Sequence, residues 1–68
     1  MGNEMWELTT KGKKIARRVV GQRIPIVDYM YKNKQSSTDE VAAGLSIDKY
    51  IAISKIRELK RNGIIQEY

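Results

Sequence analysis

Residues 41–65 read VAAGLSIDKYIAISKIRELKRNGII, and the fold follows from this stretch. Apolar residues recur in it at helical spacing on both sides of a short break. They are Val41, Ala42, Leu45, Ile47, Ala52, Ile56, Leu59, Ile64 and Ile65. A short helix, a turn of three or four residues and a longer helix arranged in this way bury one shared apolar seam. The stretch therefore predicts a helix-turn-helix over about residues 37–62.

Local signals predict where these two helices begin and end. Ser37 and Glu40 have the spacing of a capping box, which predicts that the first helix starts there. The tight break is expected at residues 44–46 (GLS). Asp48 can cap the longer helix, and residues 62–63 (NG) are a typical helix stop.

Two further helices are predicted upstream. Residues 11–20 (KGKKIARRVV) place apolar side chains opposite basic ones, which predicts one short basic amphipathic helix from Thr9 or Thr10 that stops at Gly21. Its apolar face comprises Ile15, Ala16, Val19 and Val20. Residues 23–34 (RIPIVDYMYKNK) have a proline where a first helical turn tolerates it, and they predict a helix that ends near residues 32–34.

Composition limits what the chain can do. It has 68 residues, with 13 Lys and Arg against 8 Asp and Glu, so its net charge is +5 and it can bury only one core. It has no Cys and no His, which excludes disulfide frameworks, thiolate zinc sites, Cys nucleophiles and His-based catalysis. We therefore expect a protein that is not an enzyme and that holds neither a metal nor a cofactor.

The positive charge is concentrated at the two ends of the chain. Residues 1–23 contain six basic and two acidic residues, and residues 47–68 contain five and three. A basic surplus favours an anionic partner such as nucleic acid, although a solvated surface explains it about as well. Apolar runs are only a few residues long, so no membrane partner is expected. The expected location is the cytoplasm, associated with the nucleoid.

The stretch from about Arg23 to Ile65 resembles the helix-turn-helix of winged-helix proteins. Residues 41–65 match without gaps the bacterial and archaeal pattern that ends in a Gly followed by two aliphatic residues. In that family the aliphatic pair begins the first wing strand. The resemblance, to regulators of the MarR-like, PadR-like and ArsR-like kind, implies duplex DNA binding in transcription regulation, with helix 48–62 in the major groove.

A second resemblance concerns the wing. Residues 6–16 (WELTTKGKKIA) are similar to the segment that leads from the second wing strand into a helix in MarR-like and PadR-like regulators, but here they precede the helix-turn-helix. Either residues 4–8 pair antiparallel with residues 64–68, or residues 1–8 are the remnant of an upstream wing in a tandem protein. We favour the pairing, because residues 64–68 (IIQEY) alone would expose an apolar edge.

The expected fold is thus mainly α. A winged-helix-like three-helix core with an N-terminal helix forms one domain over residues 1–68, and the terminal segments form a small two-stranded antiparallel sheet. A domain of this size buries little DNA by itself, so a homodimer, a tandem winged-helix copy or a larger parent chain would supply useful affinity.

The DNA-contacting residues follow from the resemblance and from a helical wheel. If Ala52, Ile56 and Leu59 face the core, the opposite side of their helix is free for DNA. The predicted contacts are Lys49, Tyr50, Ile53, Ser54, Arg57, Lys60, Arg61, Ser37 and Thr38. Arg57 is placed either on a phosphate or on a guanine. Flanking phosphate contacts are expected, if their helix packs on the DNA side, from Lys13, Lys14, Arg17 and Arg18.

The alternative function is a protein-interaction winged helix within a larger assembly. Tyr50, Ile51 and Ile53 would then form the partner surface. An exposed Ile beside an exposed Tyr suits such an interface as well as it suits a thymine methyl group. Each basic residue of the helix also has an ordinary explanation as part of a solvated face.

Overall fold

The computed structural model describes residues 4–68, so residues 1–3 of the predicted domain lie outside the described part. The chain is mainly helical, with a small three-stranded antiparallel sheet. In chain order the elements are β1 (Met5–Leu8), α1 (Thr10–Ala16), α2 (Val19–Gln22), α3 (Pro25–Asn33), β2 (Ser36–Ser37), α4 (Thr38–Leu45), α5 (Lys49–Arg61) and β3 (Ile65–Glu67).

The sheet has the strand order β2-β1-β3. The predicted pairing of the terminal segments is confirmed, since β1 runs antiparallel to β3 with Leu8 opposite Ile65. The prediction of only two strands is wrong, because β2 adds to the other edge of β1. The reason is local: an N-cap residue needs an extended backbone. Ser37 has φ −81° and ψ 166°, which also lets it pair with Met5.

Helices α4 and α5 begin where the caps predict them. The backbone N–H of Ser37 donates to Glu40 Oε1 at 2.8 Å, and the N–H of Glu40 donates to Ser37 Oγ at 3.1 Å. Asp48 accepts from the N–H of Tyr50 at 2.8 Å and caps α5. The predicted break at 44–46 lies two residues too early, because α4 continues through Leu45 and the break comprises residues 46–48, beginning at Ser46 with φ 54°.

The prediction of one continuous basic helix over residues 10–20 is wrong. The chain breaks after α1 and starts again as α2, and the side chains of Val19 and Val20 are 62% and 67% exposed rather than buried. Gly21 lies inside α2 and does not stop a helix. A Cβ atom at Gly21 would overlap the carbonyl oxygen of Ile15, so the glycine lets α2 fold back against the end of α1.

The core lies between the sheet and the helices. Its buried apolar residues are Trp6, Leu8, Ala16, Ile26, Val27, Met30, Val41, Ile56, Leu59 and Ile65. The predicted inward side of α5 is confirmed, since Ala52, Ile56 and Leu59 are all buried. The predicted start and end of α3 are also confirmed, with Pro25 in its first turn and Asn33 as its last residue.

Candidate nucleic-acid interface

Because an α-helix turns 100° per residue, the side chains of α5 can be assigned to four sides of the helix. One side is buried in the core. The side opposite to it, here called the outer face, consists of exposed Tyr50, Ser54, Arg57 and Arg61. Among residues 4–68 neither of the two arginines has a carboxylate within ion-pair distance. The outer face therefore presents two arginines that form no ion pair with the described residues, and Glu58 is the carboxylate that borders them.

One flank of α5 borders a cleft of about 420 Å³, here called the charged cleft. It is lined by Glu4, Trp6, Ser37, Thr38, Asp39, Lys49, Ile53, Ile56, Arg57, Lys60 and Glu67. The cleft brings six of the nine predicted DNA-contacting residues together, and Tyr50, Ser54 and Arg61 lie outside its lining.

Two of the predicted DNA lysines have partners within the chain. Lys49 Nζ lies 3.2 Å from Asp39 Oδ1, and Lys60 Nζ lies 3.3 Å from Glu67 Oε1. Lys60 Nζ also lies 5.4 Å from the centre of the Trp6 ring, within cation–π range. Of the three cations that line the charged cleft, Lys49 and Lys60 are therefore paired with carboxylates, whereas Arg57 is not.

The two hydroxyl residues at the start of α4 also have partners. Ser37 Oγ accepts the capping hydrogen bond, and Thr38 Oγ1 accepts from the indole N–H of Trp6 at 3.2 Å. Ile53 is half-buried, and it lines a shallow depression on the outer face together with Tyr50, Ser54 and Arg57. Ile53 turns toward the cleft that Trp6 also lines, where apolar surface is available to it.

The other flank of α5 borders an apolar groove of about 470 Å³, here called the apolar groove. The start of α3, the turn between α4 and α5, and the chain after α5 form its walls. It is lined by Ile24, Pro25, Ile26, Leu45, Ile47, Ile51, Lys55, Glu58, Leu59, Asn62 and Ile64. Sequence reasoning missed this groove, although the spacing of Ile51, Lys55, Glu58 and Asn62 marks one side of a helix.

The alternative function requires Tyr50, Ile51 and Ile53 to share one partner surface, and the structure places them on different sides of α5. Ile51 lies at the apolar groove, whereas Ile53 lies in the charged cleft on the opposite flank. Tyr50 stands between them on the outer face and is 80% exposed. Tyr50 and Ile53 nevertheless line one shallow depression on the outer face, so Ile51 is the residue that lies apart from the other two.

The predicted flanking residues Lys13, Lys14, Arg17 and Arg18 are all exposed on or just after α1. Lys13 and Arg17 line a separate cavity that shares no lining residue with the charged cleft. The structure therefore does not bring them to the cleft beside α5. Lys11 approaches α5 instead, since its Nζ donates to the carbonyl oxygen of Asn62 at 2.9 Å.

Within residues 4–68, no group of three or more Asp and Glu residues is arranged to hold a metal ion. In the same part of the chain, no helix combines the length and the apolar character needed to cross a membrane. No protein-family model matches the chain, and no curated protein or solved structure matches it either.

Proposed function

We propose that this chain is a winged helix-turn-helix module that binds duplex DNA through the outer face of α5 and acts in transcription regulation. One observation carries the proposal. The second helix of a capped helix-turn-helix exposes Arg57 and Arg61, and neither has an ion-pair partner among the described residues. Such a helix can enter a major groove, and uncompensated arginines supply the phosphate attraction on which affinity depends.

The sheet supports the winged-helix part of the proposal. The aliphatic pair at residues 64–65 leads into β3, as the resemblance implies for a first wing strand. Residues 6–16 run from β1 into α1, as the resemblance implies for a second wing strand and the helix after it. The two strands pair antiparallel, although they come from opposite ends of the sequence.

Roles along the outer face follow from position. Tyr50 and Ser54 lie in the first half of α5, the part that reaches base edges in this docking mode. Arg57 and Arg61 lie further along and would bind phosphates, with a bidentate contact to guanine as the other role of Arg57. Lys49 and Lys60 would have to exchange a carboxylate for a phosphate, so we expect them to contribute less than the arginines.

Fluorescence anisotropy with random-sequence duplex DNA across a salt series tests the proposal. Arg57→Ala and Arg61→Ala should each weaken binding and flatten the logarithmic salt slope by about 1 unit. Arg23→Ala is the matched control, because it removes the same charge from an exposed residue outside α5. Equal effects of all three substitutions, or no salt dependence at all, would contradict the proposal.

A protein partner is the second candidate, and the exposure of Tyr50 favours it. Exposed aromatic residues are frequent anchors of protein interfaces. With such a partner Tyr50→Ala should abolish binding while Arg57→Ala leaves it nearly unchanged. The opposite ranking is expected for DNA, because the phosphate attraction depends on the arginine.

A further inference from the structure

A second basic surface lies beside α1 and α3, away from the proposed DNA interface. Residues 10–23 contain six basic residues and no acidic residue. Two depressions of about 610 and 630 Å³ lie between α3 and the segment that contains α1 and α2. Arg17 and Tyr31 line both of them, so the depressions adjoin each other and are together called the basic channel. The channel shares no lining residue with the charged cleft or with the depression on the outer face of α5.

The basic channel has a surplus of positive charge. Its charged lining residues are Lys13, Arg17, Lys32, Lys34, Glu7 and Asp28. Asp28 lies 3.1 Å from the ammonium group of Lys32, and the Glu7 carboxylate accepts from the side-chain amide of Gln66 at 2.9 Å. Among residues 4–68, the other three cations have no carboxylate within ion-pair distance. The channel therefore favours a ligand with several negative charges.

An aromatic ring and two amides stand among these charges. Tyr31 is 42% exposed and lines both depressions, so it offers ring surface to a ligand at the middle of the channel. Gln22 borders one depression and Gln35 the other. Unpaired bases stack on exposed aromatic rings, and side-chain amides can donate to and accept from base edges. The bases of a duplex are stacked on one another, so this combination favours a single strand.

The backbone at Lys34 gives an independent reason to assign its side chain a role. Lys34 follows α3 with φ 61° and ψ −82°, close to the angles of a strained γ-turn that glycine adopts more easily than other residues. Strained residues of this kind cluster at binding sites. The lysine thus lines the channel at a position where glycine would suit the backbone better.

We propose that the basic channel binds a short segment of single-stranded nucleic acid. Its phosphates contact Lys13, Arg17 and Lys34, and one of its bases stacks on Tyr31. An acidic peptide would match the three cations but has no planar base to cover the tyrosine ring. The inference goes beyond the proposed function and does not rest on it, because the channel and the outer face of α5 share no residue.

Fluorescence anisotropy at low salt, with labelled oligothymidylate and oligouridylate of about ten nucleotides, tests the proposal. Binding of either strand is the expected result, and the tighter of the two shows whether the 2′-hydroxyl group of RNA contributes. Arg17→Ala and Lys34→Ala should each flatten the logarithmic salt slope by about 0.7 unit, the value for one phosphate of a single strand. Lys55→Ala is the matched control, because it removes an exposed lysine outside the channel and should leave the slope unchanged.

The aromatic contact and the backbone have tests of their own. Tyr31→Ala should weaken binding at least about fivefold, whereas Tyr31→Phe keeps the ring and should stay within about twofold of the wild type. Lys34→Gly relieves the strained backbone, so it should weaken binding without lowering the midpoint of thermal unfolding. Circular dichroism measures that midpoint for every variant and separates a lost contact from a lost fold.

Several outcomes would overturn the proposal. They are the absence of binding by both strands, equal losses for Tyr31→Ala and Tyr31→Phe, and displacement of the strand by poly-glutamate as readily as by unlabelled strand. A loss of single-strand binding in Arg57→Ala as large as in Arg17→Ala would also overturn it, because α5 would then hold the strand. Failure of duplex binding, with single-strand binding intact, would refute the proposed function alone.

Discussion

The two flanks of α5 differ in how their side chains are satisfied. In the charged cleft, Lys49 and Lys60 have carboxylate partners, and the indole N–H of Trp6 has an acceptor. At the apolar groove, Lys55 and Glu58 have no ion-pair partner among the described residues. The two lysines of one flank are thus paired within the described chain, whereas the two charges of the other flank are not. The difference indicates that the contacts of the cleft contribute to the fold.

The largest expected effects come from truncating one buried apolar side chain at each flank of α5. Trp6→Ala should lower the free energy of unfolding by about 3–5 kcal/mol, and Leu59→Ala by about 2–4 kcal/mol, because both remove buried side chains. Trp6 should cost more, since it is larger and buried under the cleft, whereas Leu59 borders the open groove. Urea unfolding at low temperature, followed by far-ultraviolet circular dichroism, measures both. A larger loss for Leu59→Ala would contradict the assignment of the cleft to the fold.

The hydrogen bond between Trp6 and Thr38 tests the cleft with a smaller change. Thr38→Val keeps the shape of the side chain but removes the acceptor of the indole N–H. We expect a loss of about 1–3 kcal/mol, the cost of leaving a buried donor without a partner. Thr38→Ser retains the hydroxyl group and is the matched control in the same unfolding experiment. Equal losses for the two variants would show that the methyl group, and not the hydrogen bond, is responsible.

The turn beside the groove offers a stabilising change. Ser46 lies between two groove-lining residues and has φ 54°, a conformation that glycine adopts without cost. Ser46→Gly should raise the free energy of unfolding by about 0.5–1 kcal/mol. Ser46→Ala keeps a Cβ atom in the same backbone conformation, and we expect it to stay within about 0.5 kcal/mol of the wild type. Thermal unfolding would detect the difference, and a destabilised Ser46→Gly variant would contradict the argument.

The smallest expected effect concerns DNA and rests on the proposed function. Asp39→Asn with Glu67→Gln removes the carboxylate partners of two cleft lysines. DNA binding should tighten by about twofold to threefold, since exposed ion pairs are weak and their loss frees cations for phosphates. Anisotropy titrations should show this gain, together with a steeper salt dependence. Glu58→Gln neutralises a carboxylate on the other flank, and an equal gain per charge there would attribute the effect to net charge alone.

The sequence predicts those parts of the fold that depend on neighbouring residues. The capping box, the Asp48 cap and Pro25 act within one or two helical turns, and each is found where the pattern indicates. The inward side of α5 was equally predictable, because Ala52, Ile56 and Leu59 share a helical period.

What could not be predicted depends on residues far apart in the chain. The indole of Trp6 finds its acceptor 32 positions away, and β2 consists of two serines that have little strand preference of their own. The close approach of Gly21 to Ile15 requires the break between α1 and α2, which no local signal marks. For the same reason no sequence pattern identifies Asp39 and Glu67 as the carboxylate partners of Lys49 and Lys60.

The pairing of β1 with β3 has a mechanical consequence. The N–H of Tyr68 donates to the carbonyl oxygen of Met5 at 2.9 Å, so residues 5 and 68 sit side by side at one end of an antiparallel ladder. A force that pulls these residues apart acts along the hydrogen bonds, which are perpendicular to the strands. It would therefore load them one after another and not all together. At low force β1 and β3 would separate while the helices that pack behind the sheet remained folded.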